Sequence, residues 1–227
     1  MSIVNIAAYR FVGLDDLAAL RERVRAKAAE SDLRGTVLLA AEGINLFLAG
    51  AGHGIDAFLQ WLQADARFAG LEVKFSHSAT VPFRKLVVKI KREIIRMDHP
   101  AIRPAGGRAP AVDARTLERW LQTRRDDAGR EVVLLDTRNA FEVDAGTFDG
   151  AQDFRIERFT QFPAAVMAQR EALADKTVVT FCTGGIRCEK AALYMAQAGM
   201  PNVYQLDGGI LKYFEETGGT GFHGECF

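Results

Sequence analysis

The chain has 227 residues, 48% hydrophobic and 26% charged, with 29 basic residues against 29 acidic ones. This is the composition of a soluble globular protein of one or two domains, and no apolar run approaches the ~18 residues of a membrane-spanning helix. Three cysteines, an odd and low number, exclude a disulfide scaffold, and the start MSIVNIAAYRF lacks a secretory pattern, so a reducing cytoplasm is expected. The balanced charge is uneven along the chain. Residues 1–80 carry 8 Lys/Arg and 9 Asp/Glu (net −1), residues 81–108 carry 8 and 2 (net +6), and residues 109–227 carry 13 and 18 (net −5). The middle strip is the place where a polyanion would be attracted.

The first half reads as β-α-β-β-α-β. Ile3–Tyr9 is a strand candidate. Leu14, Leu17, Leu20 and Val24 follow helical spacing. Gly35–Ala41 and Ile44–Ala49 are short apolar runs joined by Glu42-Gly43, a hairpin connection in which Gly43 supplies a positive φ and Asn45 bonds to nearby backbone. Ile55, Phe58, Leu59 and Leu62 form one helical stripe, and Leu71–Ser76 alternates as a fourth strand. This order suits a ferredoxin-like unit. A basic strand is expected over 83–96, where Leu86, Val88 and Ile90 alternate with Lys85, Lys89 and Lys91. Pro100, Pro104, Gly106, Gly107 and Pro110 mark a linker. The expected domains are therefore residues 1–97, a linker over 98–112, and residues 113–227.

The second half alternates strands and helices. Glu131–Asp136, Thr177–Phe181 and Val203–Leu206 are apolar runs typical of buried parallel strands. Helices are expected over Thr116–Thr123, Pro163–Leu173, Cys188–Ala198 and Gly209–Glu216. A small doubly wound parallel α/β domain follows.

Cys182 stands where the second of those strands stops. Ligands of open α/β sheets sit beyond the carboxyl ends of the strands. In Cys182-Thr183-Gly184-Gly185-Ile186-Arg187 the glycines let backbone N–H groups turn inward around one atom, and the following helix start adds to the stabilisation of negative charge. Arg187 closes the loop with a cation, and a thiol there is expected to ionise readily. Asp136 and Arg138 end another strand at the same edge of the sheet.

That loop, together with Asp136-x-Arg138, Gly146-x-Phe148-x-Gly150-Ala151 and Leu206-x-Gly208-Gly209-Ile210, resembles a rhodanese domain. It is one residue shorter than the loop of tyrosine and dual-specificity phosphatases, and Phe181 stands where those enzymes usually have histidine. The resemblance extends along the chain. Glu42-Gly43-Ile44-Asn45, Pro82-Phe83, Asp136-Thr-Arg-Asn139 with Glu142, Cys182-Thr-Gly-Gly-Ile-Arg-Cys-Glu-Lys190 and Gly224-Glu-Cys-Phe227 are all similar to the tRNA uridine-34 hydroxylase family. That family joins an acylphosphatase-like (ferredoxin-like) unit to a rhodanese domain. Its members usually continue past the last of these motifs.

The resemblance implies oxygen-dependent conversion of the wobble uridine to 5-hydroxyuridine. Cys182 is then the active cysteine, as thiolate or persulfide, with Arg187 and the loop amides holding its charge. Asp136, Arg138 and Cys188 support it, and tRNA is the partner through its anticodon region. No cofactor is evident in the sequence, while molecular oxygen and an unidentified electron donor are implied. No membrane and no obligatory protein partner are expected. Cys188 has two readings, a resolving thiol or a small residue packed under the loop. Cys226 and His223 form an H-x-x-C half-site too small for a metal, and none is expected. The four histidines otherwise read as surface or packed residues.

Arg84, Lys85, Lys89 and Lys91 read either as a solvated face or as a track for tRNA phosphates. Arg155 and Arg158, interleaved with Phe154, Phe159 and Phe162, read as a base-stacking surface or as edges of a core. Glu42 and Asn45 are left open as contacts to RNA or to their own loop. The competing functions are a sulfurtransferase working through a Cys182 persulfide and a non-catalytic binding module.

Overall fold

The computed structural model describes residues 2–226. Met1 and Phe227 lie outside the described residues, so the terminal motif is described only to Cys226. The chain divides into two compact units, residues 1–95 and 96–227.

In the first unit β1 (Ile3–Phe11), α1 (Leu17–Glu30), β2 (Arg34–Ala40), β3 (Gly43–Gly50), α2 (Gly52–Gln63) and β4 (Val73–Ser78) follow the βαββαβ order, and β5 (Leu86–Ile90) adds a further strand. The sheet order is β4-β1-β3-β2-β5. The first four strands pair antiparallel, whereas β5 runs parallel to β2 with Leu86 beside Gly35 and Ile90 beside Leu39. Alternation decides the faces. Ile6 and Ala8 of β1, Val37 and Leu39 of β2 and Ile44, Leu46 and Leu48 of β3 form one buried row, onto which Leu20, Val24 and Ala28 of α1 and Ile55, Phe58 and Leu62 of α2 pack. Each large side chain buried there stabilises by roughly 1.5–3 kcal/mol, so a one-residue slip that turned the row to solvent is strongly disfavoured.

The Glu42-Gly43 turn is structural. Gly43 has φ +148°, and a Cβ there would stand 2.0 Å from the Arg10 carbonyl oxygen. Glu42 and Asn45 contact their own chain: Glu42 Oε1 accepts the Ile94 N–H at 2.7 Å, and Asn45 Nδ2 donates to the Ile94 carbonyl at 3.2 Å. These bonds correct the strand expected over 83–96. Only Leu86–Ile90 is β-strand, because its partner β2 begins at Arg34 and, after the Lys91 N–H bonds the Leu39 carbonyl, the chain leaves the edge and Ile94 is held by Glu42 and Asn45. Lys85 and Lys91 thus flank the strand, and all three lysines are exposed.

The second unit contains β6 (Ala111–Val112), α3 (Ala114–Thr123), β7 (Val132–Asp136), α4 (Ala140–Ala145), β8 (Gly146–Phe148), β9 (Gln152–Asp153), α5 (Phe162–Ala168), α6 (Arg170–Leu173), β10 (Thr177–Phe181), α7 (Ile186–Gln197), β11 (Val203–Leu206), α8 (Gly209–Thr217) and β12 (Phe222–Gly224). Its sheet, β6-β11-β10-β7-β9, is parallel throughout. Every residue of β7 and β10 is buried, as expected of strands covered on both faces. α3 packs with α8, while α7 packs with α5. Phe148 is the hub of one core layer, in edge-to-face contact with Phe181, Tyr213 and Phe222 at 4.9–5.2 Å.

Two expectations change here. The stretch 98–112 is not a free tether. Ile102, Pro104 and Ala109 are buried, the His99 ring meets Tyr194 of α7 at 5.0 Å, and the turn at Pro104–Gly106 packs on α7. Its apolar side chains need cover that a solvated linker would not give them. The helix expected over 163–173 is two pieces, broken where Gln169 takes φ −108°.

Candidate active site

β10 ends at Phe181 and α7 begins at Ile186, so the loop between them must reverse the chain within four residues. Cys182 is fully buried, and its Sγ accepts the Gly185 N–H at 3.2 Å. The backbone N–H groups of Arg187 and Cys188, among the donors that a helix start leaves without intrahelical partners, bond the same sulfur, as does the Cys188 thiol. Burial alone would raise the Cys182 pKa. The hydrogen bonds from Cys188 and the nearby Arg187 charge outweigh it and bring the thiol down to about 5. Cys188, also fully buried, goes the other way: burial and the adjoining Cys182 push it well above the ordinary thiol range. Its Sγ also lies 3.9 Å from Thr137 Oγ1. At neutral pH the pair is one thiolate and one thiol.

A second loop clamps the first. The Ile210 N–H donates to the Cys182 carbonyl at 3.0 Å and the Leu211 N–H to the Thr183 carbonyl at 3.1 Å. Gly209, at φ +67°, makes this approach possible, since a Cβ there would lie 2.5 Å from the Cys182 carbonyl oxygen. This gives the Leu206-x-Gly208-Gly209-Ile210 motif a physical reason.

Arg187 is forked onto Glu142 of α4 at 2.6 and 2.8 Å. The pair is mostly buried, and Arg187 Nε has no hydrogen-bond partner among the described residues. Asp136 and Arg138 are a buried brace. Arg138 donates to Asp136 through Nε and Nη2 (2.9 and 2.6 Å), and Nη2 also reaches the Gly146 carbonyl at 2.6 Å. Thr147 Oγ1 adds a bond to Asp136 at 2.8 Å.

The structure thus brings Cys182, Thr183, Gly184, Gly185, Ile186, Arg187 and Cys188 into one loop and helix start, with Asp136 and Arg138 on the neighbouring strand end. The other candidates lie apart from it or in other roles. Phe159 and Phe162 are buried and Phe154 packs against Phe162 at 6.0 Å, so these aromatics form core. Arg155 is exposed and paired with Asp144 at 2.7 Å, and Arg158 is exposed. His223 faces Asp149 at 2.8 Å.

Three residues of the site have no role in the sequence reading. Glu142 appears there only as part of a motif, three positions after Asn139 at a short helix, and a capping-box pattern was its only visible signal. Glu189 is buried and paired with Arg108 at 2.6 Å, yet burial, reinforced by Cys182 and Asp207, pushes it up to about 7. Cys226 returns to the loop, where its thiol, raised by burial, bonds Thr183. Neither contact has a sequence signal, because both partners are far apart along the chain.

The family model described as UPF0176 acylphosphatase like domain matches residues 3–94, and that described as rhodanese-like domain matches residues 112–216. The tRNA uridine(34) hydroxylase of Bordetella petrii is 72% identical over 226 residues, covering 100% of this chain and 90% of that protein. The protein of the same name from Bordetella pertussis is 70% identical (100% and 93% covered), and that from Variovorax paradoxus is 63% identical (99% and 86%). With both units matched in order and identity this high along the full length, the chain belongs to the tRNA uridine(34) hydroxylase family.

Proposed function

We propose that this chain hydroxylates C5 of the wobble uridine of tRNA, giving 5-hydroxyuridine, with Cys182 as its reactive group. The observation that carries this reading is a buried cysteine whose sulfur accepts a loop amide and whose pKa is lowered, in a chain that matches tRNA uridine(34) hydroxylases from end to end. Replacing C5–H by C5–OH uses one atom of O₂, takes two electrons and two protons, and releases the other oxygen atom as water. Cys182 and Cys188 are in contact, and closing a disulfide between the Cys182 thiolate and the Cys188 thiol releases two electrons and one proton, the second proton coming from water. An external thiol reductant would then reopen it. Arg187, whose charge acts on the Cys182 sulfur and whose Nε has no hydrogen-bond partner among the described residues, is a donor for a carbonyl oxygen of the base. The rim at Thr183, Gly184 and Ile186 is half-buried whereas the sulfur is enclosed, so the base approaches from that rim. A tRNA substrate supports a cytoplasmic setting for the reaction. The test is mass spectrometry of tRNA nucleosides from cells with and without the gene. Selective loss of the 5-oxygenated wobble uridine is expected, and loss of a thiolated uridine instead would favour sulfur transfer through a Cys182 persulfide.

Lys85, Lys89 and Lys91 are exposed at and beside β5 and are assigned to the tRNA backbone. Each phosphate neutralised adds about −0.7 to −0.9 to the slope of log affinity against log salt. Changing all three to glutamine should weaken tRNA binding and flatten that slope, while saturating tRNA restores much of the rate. A salt titration of parent and variant decides it, and identical curves would mean that these lysines are only solvated.

A further inference from the structure

The first unit's sheet has α1 and α2 on one face, and strand register places a second set of side chains on the other. Phe47 lies in the middle of that second face, on β3, opposite Ala7 of β1 and Thr36 of β2. It is 48% exposed, although it sits on the central strand of five, where an apolar ring would ordinarily be covered. Its neighbours across the strands are small, so the ring has open space above it. The segment tied to Asn45 through Ile94 covers one end of this face and stops short of Phe47.

The surroundings are apolar and cationic. The next row places Tyr9, Asn45, Leu38 and Lys89 side by side, and Val87 follows Thr36 in the Phe47 row. Arg34 and Lys89 are exposed at positions of the same parity. No outward-facing position of the five strands carries an acidic residue. Aromatic rings on the central strands of a βαββαβ sheet, with cations around them, are the means by which such sheets stack unpaired RNA bases and hold the adjoining phosphates.

We propose that this face, centred on Phe47 and bordered by Arg34 and Lys89, is a stacking platform for unpaired bases of RNA. The proposal rests on the reading of tRNA as substrate and adds a base-contacting surface in the first unit. A neutral protein partner would have no use for the one-sided charge, which is why single-stranded RNA is the occupant chosen.

The experiment uses the full chain with two probes, an unpaired oligouridylate and an anticodon stem-loop RNA. Phe47→Ala should bind both about 5- to 100-fold more weakly, the scale of one lost base stack. Its salt slope should be unchanged, since no phosphate contact is removed. Lys89→Gln should instead lower the slope. Phe47→Trp should keep the affinity, and its added indole emission, measured against the parent with Trp61 and Trp120, should be quenched on RNA binding. Parent-like RNA affinity of Phe47→Ala, or indole emission unmoved at saturating RNA, would overturn the platform while leaving tRNA as substrate intact. Failure of the parent itself to bind either RNA, or tRNA, would overturn both. If Phe47→Ala folds poorly, the quenching of Phe47→Trp decides alone.

Discussion

Cys182→Ser is expected to end hydroxylation, with a loss of about a thousandfold or more, the scale seen when a reacting nucleophile is removed. Serine is nearly the same size and accepts the same Gly185 N–H, so the loop should keep its shape and tRNA affinity should stay near that of the parent. What serine lacks is a low pKa: a hydroxyl does not ionise where the thiol does, at about 5. The parent should therefore show a thiolate ultraviolet absorbance that grows as pH rises through about 5 and is missing in the variant. Activity should fall on the acid side of the same titration, because protonation removes the nucleophile. Cys188→Ser separates the roles of the second thiol. If Cys188 only packs and donates a hydrogen bond, serine replaces it with a modest loss. If it closes a disulfide, the loss matches that of Cys182→Ser. Activity of Cys182→Ser with purified components would remove the cysteine from the mechanism altogether.

The parts of this fold that are legible in the sequence are those where one physical signal dominates. Val132–Asp136 and Thr177–Phe181 are apolar at nearly every position because both their faces are buried, and the continuous run shows it. The α2 stripe of Ile55, Phe58, Leu59 and Leu62 is legible because only one helix face is covered. α4 is not legible. Its six residues make fewer than two turns, and their helicity rests on the Asn139–Glu142 cap and on Glu142 binding Arg187. Nor are β8 and β12, three residues each, which form by pairing Gly146–Phe148 with Phe222–Gly224 across more than seventy positions. β5 shows the limit of pattern. Alternation runs past Ile90 to Lys91, but the strand stops there, and Glu42 and Asn45 hold the N–H and carbonyl of Ile94 away from the sheet edge.

The candidate site divides in the same way. Cys182 and its loop are local, with the donors within six residues of the sulfur. What holds the loop in place is distant: Glu142 from α4, the Ile210 and Leu211 amides from α8, and Cys226 near the end of the chain. A single sequence displays the first kind of contact and conceals the second.

Asp136→Ala should be the most destabilising single change in the second unit. Asp136 and Arg138 have no exposed side-chain surface, and Asp136 accepts from Arg138 Nε, Arg138 Nη2, the Arg138 backbone N–H and Thr147. Removing the carboxylate leaves a guanidinium enclosed, with Nη1 already lacking a partner among the described residues and only the Gly146 carbonyl left for Nη2. Breaking one side of a buried pair costs about 3–5 kcal/mol, a large part of the ~5–15 kcal/mol that keeps a domain folded. Each unit carries one tryptophan, Trp61 in the first and Trp120 in the second, so denaturant unfolding can be followed in each through single-tryptophan variants. The Trp120 signal should move to much lower denaturant, and the Trp61 signal should hold. The paired change Asp136→Ala with Arg138→Met should recover much of the loss, since a buried pair replaced by apolar groups is often nearly neutral. A single variant within about 1 kcal/mol of the parent would show that the brace is not what holds the β7 end. Recovery by the double variant without recovery of hydroxylation would show that the pair also sets the geometry around Cys182, on the strand beside it.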